Sequence, residues 1–362
     1  MKFAFFGSSL VSSYWNGAAT YYRGIIRAMH ERGHQVTFYE PDAYERQKNR
    51  DMEDPGWARI YVYQPTEEEL HKALEDAIHA DVIIKTSGVG VFDELLEKEV
   101  LKFKLRNKYV FFWDVDAPAT LDRVIHSAND YFKALIPQYD LVLTYGGGDP
   151  VVNAYKKLGA RNCYPIYNAL DPSTHHPVKK ENRFEADLAF MGNRLPDREK
   201  RVEEFFLNVA AQMPEHCFIL GGNGWGDKPI SSNINYLNHV FTKDHNALNC
   251  SPTAVLNISR DSMAMYGFSP ATRVFEAAGA GACIITDYWL GIDTFFEPGK
   301  EILVANNGAE VKDILSGLTK DKAAAVGNAA LKKVLAEHTY TQRAAELDKI
   351  LQHEFTVSNA RA

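Results

Sequence analysis

Cysteine is scarce in this chain, with four residues in 362, Cys163, Cys217, Cys250 and Cys283, and no CxxC spacing among them. That excludes a disulfide framework and a cysteine-based zinc module, and it fits a reducing compartment. Long apolar runs are missing too. The opening KFAFF breaks off at Gly7, Ser8 and Ser9, too soon for a signal-peptide core, and no later run reaches the ~20 residues needed to cross a bilayer. A cytoplasmic protein is expected, with any membrane contact peripheral. Basic excess is also absent: 40 Lys and Arg stand against 47 Asp and Glu, a net charge of -7. Such a chain has no overall field to draw in nucleic acid, which is not expected as a partner. Low-complexity tracts and short repeats are lacking as well.

What is there is a doubled α/β pattern. At 362 residues, two domains are the natural expectation. KFAFF reads as a buried strand, the Gly/Ser loop GSSLVSS follows, and a helix carries Tyr22, Ile25, Ile26 and Met29 on one face up to Gly33. HQVTFYE then completes a βαβ unit, the signature of a parallel sheet. DVIIKT (81–86), YVFFWD (109–114) and DLVLTY (140–145) add strands to a first domain. The polar stretch 168–184, with His175, His176 and Pro177, interrupts the pattern as a connector would. Alternation restarts with ADLAFMG (186–192), HCFILGGNG (216–224), TAVLNIS (253–259), ACIITD (282–287) and EILVA (301–305). The expected fold is α/β with two Rossmann-like domains, their parallel sheets facing an interdomain cleft. The expected boundaries are 1–172 for the first domain, 173–184 for the linker, 185–340 for the second domain and 341–362 for a terminal helix packing back on the first.

Open parallel sheets bind ligands beyond the carboxyl ends of their strands, where helix N-termini point unpaired N–H groups at anions. In the first half that directs attention to Gly7, Ser8, Asn16 and Gly17 after the first strand, although this loop lacks G-x-G-x-x-G spacing. Gly147, in YGGGDP, follows the last strand of that half. FFWDVDAPAT places Asp114 and Asp116 at a strand end. Two readings stay open for this pair: a metal-holding DxD motif, or carboxylates that contact the acceptor or the transferred sugar, as general base if the reaction inverts. Asp116 is equally suited to cap the helix that follows. His126 reads as a surface residue and His175 and His176 as polar linker.

The sharpest signal is GFSPATRVFEAAGAGACIITDYWLG (267–291), followed by EPGKEILV. This run resembles the donor-binding segment of GT-B glycosyltransferases, especially the CgeB-like (spore maturation) group and its retaining relatives. The resemblance implies two Rossmann-like domains and a nucleoside diphosphate sugar held mainly by the second. It implies that Glu276 accepts hydrogen bonds from the ribose hydroxyls, a task suited to an acceptor-only carboxylate. Arg273, three positions earlier on the same helical face, would orient Glu276 or meet phosphate. Ser269 and Thr272 open the helix whose N–H groups would face the diphosphate. Phe268 stands where retaining relatives carry a first glutamate. Gly192, Asn193 and Arg194 resemble the family's strand-end segment, with Arg194 expected on the diphosphate and Arg198 expected to be structural or solvated. Gly222 and Asn223 in GGNGW would let backbone approach the donor.

The reading is a metal-independent glycosyltransferase without a cofactor. It takes a UDP- or GDP-sugar, with retention slightly favoured, to an acceptor that is a glycan, a lipid-linked molecule, a protein or a small molecule. The rivals are a sugar-nucleotide epimerase or hydrolase on the same frame, and a noncatalytic nucleotide-sugar binding protein.

Overall fold

The apolar runs of the first half form strands because β-branched and aromatic side chains, covered on both faces, suit the interior of a parallel sheet. The computed structural model of the protein describes residues 1–361, with side chains described through Thr356. The strands are β1 (Lys2–Phe6), β2 (Gln35–Pro41), β3 (Arg59–Tyr63), β4 (Val82–Thr86), β5 (Tyr109–Asp114), β6 (Leu141–Thr144) and β7 (Cys163–Pro165). Their order is β3-β2-β1-β4-β5-β6-β7, and every pairing is parallel. β4 is buried at all five residues, whereas the edge strand β3 buries only Tyr63.

This sheet belongs to one compact unit, made of Met1–Tyr167 and the segment from Tyr340 onward. The returning helix, Tyr340–Arg361, buries Tyr340, Ala344, Leu347 and Leu351, a spacing that gives one apolar face. It is pinned by polar contacts along its length. Asp348 accepts from Arg32 at 2.5 Å and meets His34 at 2.7 Å. Glu354 accepts from Asn162 and Tyr164, and Phe355 packs on Tyr109 with ring centroids 4.2 Å apart.

The second unit is Asn168–Thr339. Its strands are β8 (Leu188–Met191), β9 (Phe218–Gly221), β10 (Ile234–Tyr236), β11 (Ala254–Asn257), β12 (Ile284–Asp287) and β13 (Leu303–Ala305), in order β10-β9-β8-β11-β12-β13. All pairings are again parallel. Phe190, Phe206, Phe218, Trp225 and Leu256 belong to one continuous apolar core.

Both sheets grow outward in one direction from their first strand and then return to its other side. The order therefore reverses between β1 and β4 in the first unit and between β8 and β11 in the second. At such a point the two flanking loops part and leave a crevice beyond the strand ends.

Candidate active site

At the β8/β11 reversal, two guanidinium groups share one aromatic ring. Arg198 and Arg273 each lie 5.7 Å from the Phe190 ring centroid. Arg198 is 8% exposed and donates one N–H to the Asn193 carbonyl at 2.5 Å, while its Nε is buried without a partner. Nε and Nη1 of Arg273 are likewise buried and unpartnered. Burial pushes Arg198 down to about 9, and the neighbouring Arg273 charge adds to the effect. Burial also lowers Arg273, against the pull of Glu276. Two like charges on one ring, with buried donors that lack a partner, are unfavourable for the free fold and well matched to a dianionic group.

The helix Thr272–Gly279 carries Arg273 in its first turn and Glu276 in its second. Ala271, which precedes it, provides no side-chain cap, and the Val274 N–H donates to the Ala271 carbonyl at 2.9 Å, which leaves the Thr272 and Arg273 N–H groups as the ones to face an anion. The Ser269 hydroxyl donates to the Gly267 carbonyl and the Thr272 hydroxyl to Asn168; both shape the loop and the helix start. Phe268 sits at φ 46°, in the left-handed region, and its N–H donates to the Leu290 carbonyl at 2.6 Å.

Glu276 has a side chain 15% exposed and faces His175, whose Nε2 lies 3.9 Å from the carboxylate. The rings of His175 and His245 are 6.4 Å apart. Burial lowers the pKa of His245, partly offset by Glu276. His175, expected in a polar linker, is buried beside Glu276. His176 remains exposed. Only the contrast between these adjacent histidines across the bend Asp171–His175 distinguishes them, and that is a tertiary fact.

The loops after β8 and β9 are tied to each other. Asn193 Oδ1 accepts from the Asn223 N–H, the Arg194 N–H donates to the Asn223 carbonyl, and the Gly192 carbonyl accepts from the Trp225 indole at 2.8 Å. Gly222, at φ +119°, is required here, because a Cβ would stand 2.4 Å from the Gly192 oxygen. Arg194 turns away from the Arg198–Arg273 pair in its bonding. Its guanidinium is engaged by Glu199 and Asp227, both at 2.8 Å, and these contacts raise its pKa. Arg194, expected on the diphosphate, is thus neutralised locally, while Arg198, expected to be structural or solvated, keeps a buried donor without a partner.

In the first unit, Asp114 ends β5 fully buried. Its carboxylate accepts from the Asp116 N–H, the Thr120 hydroxyl and the Tyr155 hydroxyl, and burial raises its pKa despite these bonds. These bonds make it a bracket for the loop after β5. Asp116 stands before the helix Ala117–His126 without a side-chain capping bond. His126 is exposed and pairs with Asp122.

Ser8 donates to Asn16, whose amide in turn holds the carbonyls of Ser9 and Ser12. Gly7 ties back to the Tyr39 carbonyl, and Gly17 follows Asn16 at the entry to the helix Ala19–Glu31. Gly147, at φ +92°, precedes the helix Gly148–Lys157, where a Cβ would stand 2.0 Å from Val151. Among the described residues, no group of three or more His, Cys, Asp or Glu side chains is arranged to hold a metal ion, and no helix is long and apolar enough to cross a membrane.

Residues 198–349 match a family described as "Glycosyl transferase-like". No curated protein sequence matches the chain. Among solved structures, Anabaena HepE in complex with UDP-glucose superposes with a TM-score of 0.68 at 13% identity, covering 98% of this chain and 100% of that one. An alpha-glucosyltransferase in complex with UDP-glucose and DNA containing an abasic site gives 0.70 at 12% identity, covering 97% and 99%. Sucrose-phosphate synthase from Thermosynechococcus elongatus gives 0.68 at 12% identity, covering 99% and 100%. With its 7- and 6-stranded parallel sheets, the chain has the GT-B fold.

Proposed function

We propose that the chain is a glycosyltransferase that takes a sugar from a uridine diphosphate sugar, without an essential metal, and transfers it to an acceptor hydroxyl. The observation that carries this reading is the pair Arg198 and Arg273 on the Phe190 ring, with buried donors that lack a partner, Arg273 standing one helical turn from Glu276. Guanidinium groups and uncapped N–H groups at one place meet the need of a diphosphate leaving group, whose negative charge grows as the glycosidic bond breaks. Held in advance and out of water, they stabilise that charge without reorganising. Glu276 accepts from the ribose hydroxyls, and His175 keeps its carboxylate in place. The UDP complexes of the structural neighbours support uridine over other bases.

Asp116 acts on the acceptor side, as general base if the reaction inverts and in positioning substrate if it retains. Retention is the favoured outcome, on the likeness of the 267–291 segment to CgeB-like and retaining enzymes. Two cations take over the charge neutralisation that a divalent ion would give, so turnover should not need one.

The test is calorimetric binding of UDP, GDP, ADP, CDP and dTDP in EDTA, with wild type, Glu276→Ala and Arg273→Gln. Selective UDP binding, lost in both variants, supports the reading. Failure of the folded wild type to bind any of the five would overturn it.

A further inference from the structure

The first unit holds a third buried guanidinium that the donor reading does not use. Arg46 lies in the loop after β2, is 7% exposed, and reaches over the β1/β4 reversal of its sheet. Its Nη1 donates to the Ser8 carbonyl, just past β1, at 3.2 Å and to the Val89 carbonyl, just past β4, at 3.5 Å. Its Nε is buried with no partner. The group stacks on Tyr44, with 5.0 Å from its central carbon to the ring centroid.

Neighbouring cations show what is missing. Arg23 pairs with Asp51 at 2.5 Å, and Arg50 pairs with Asp54. Glu40 is fully buried nearby, but its carboxylate already accepts from the Leu10 N–H, the Ser9 hydroxyl and Gln47. Arg46 bonds two neutral carbonyls, and Glu40 acts on it only through space. A buried cation with unspent donors persists when it serves something other than stability.

The same loop delivers a second element. Ser8, whose carbonyl takes Arg46, donates its hydroxyl to Asn16, and Asn16 leads into the 13-residue helix Ala19–Glu31, which has no side-chain cap. A helix start without a side-chain cap and a guanidinium with an unspent donor thus flank one loop at a sheet reversal, the arrangement that binds phosphate. Trp15, Tyr44 and Glu45, all in these loops, adopt left-handed φ of 48°, 55° and 57°, and Trp15 is 78% exposed. Strain of this kind in non-glycine residues collects at ligand sites.

We infer that the Arg46 loop cluster of the first unit binds a phosphate group carried by the acceptor, so that the acceptor is a phosphorylated molecule. The inference rests on the glycosyltransferase reading for the word acceptor, while the anion site stands on its own geometry. The donor's phosphates have their own cations in the second unit, Arg198 and Arg273.

The test uses the full chain and inorganic phosphate as probe at constant ionic strength, first alone and then saturated with UDP. Calorimetry should show one phosphate site that persists in the UDP-saturated wild type and weakens about tenfold or more in Arg46→Gln. UDP affinity should stay within about twofold in that variant. Melting temperature should hold or rise, because a loop-tying role would lower it. Hydrogen exchange on the wild type gives a check independent of the variant: phosphate should protect amides of 8–20 and 44–47. Equal phosphate affinity in wild type and Arg46→Gln, or bound phosphate that leaves these amides unprotected, overturns the site. Phosphate bound at Arg46 by a chain that ignores UDP would sink the glycosyltransferase reading and keep the anion site; UDP bound with no phosphate site would do the reverse.

Discussion

Arg198 and Arg194 are four positions apart, and their environments set opposite roles. Arg198, pushed down to about 9 by burial, burdens the free fold while charged. The unfolded chain keeps its guanidinium protonated to far higher pH. The penalty is therefore present below pH 9 and is relieved as pH rises through that value. Diphosphate binding runs the other way because it needs the charge. UDP affinity should fall above about pH 9, and calorimetry from about pH 7.5 to 10 should show that limb flattened in Arg198→Met. Arg273→Gln should weaken UDP by about 1.5–3 kcal/mol, with its melting temperature held or raised. The two aspartates also separate. Asp114→Asn should reduce stability by about 1–3 kcal/mol, since its buried carboxylate accepts three bonds. Asp116→Asn should lower turnover and spare UDP affinity, and a variant as active as wild type would remove Asp116 from the chemistry.

At the scale of elements, the paired loops after β8 and β9 hold the second unit's strand ends in register. Gly222→Ala combines a forbidden φ with a 2.4 Å clash against backbone, and should cost about 1–3 kcal/mol in a denaturant melt. It should weaken UDP binding too, because Asn193, which holds Arg198, shifts with that loop. The interior strands were legible in sequence as apolar runs. β3, β7 and β10 were not, since each is an edge strand of 3 to 5 residues, and RIYVY or INY carries too little pattern to stand out. The Thr272–Gly279 helix was legible from FEAAGAGA. Its service as a platform for Arg273 became visible only with Phe190 beneath that side chain.

On the scale of the whole chain, the first unit is completed by residues from both ends of the sequence. Truncation after Thr339 should expose the faces that cover Tyr340, Leu347 and Leu351. It should lower the first unit's thermal transition and make residues 1–167 protease-sensitive, read by calorimetry and limited proteolysis. Asp348 adds a pH term. Its pKa is lowered by His34 and Arg32 against the effect of burial, so its contribution is full above the ordinary aspartate range and is lost as pH falls through its lower folded value. Turnover of the intact chain should be unchanged by EDTA, and loss of activity restored by a divalent ion would return the Asp114–Asp116 motif to a metal role.

Sequence alone determined the class of the fold, because strand and helix periodicities and their alternation are local properties written in hydrophobicity. It also marked Glu276 and Arg273, whose helix is announced by a run of small residues. Which charges remain open for a ligand was decided by tertiary structure. Arg46, Arg194, Arg198 and Arg273 are one residue type in the sequence, and the direct ion pairs of Arg194 with Glu199 and Asp227 set it apart from three that carboxylates act on only through space. The same holds for His175, which the fold brings to 3.9 Å from Glu276 across about a hundred residues of sequence. Desolvation and pairing are properties of assembled surroundings, so no local pattern can carry them.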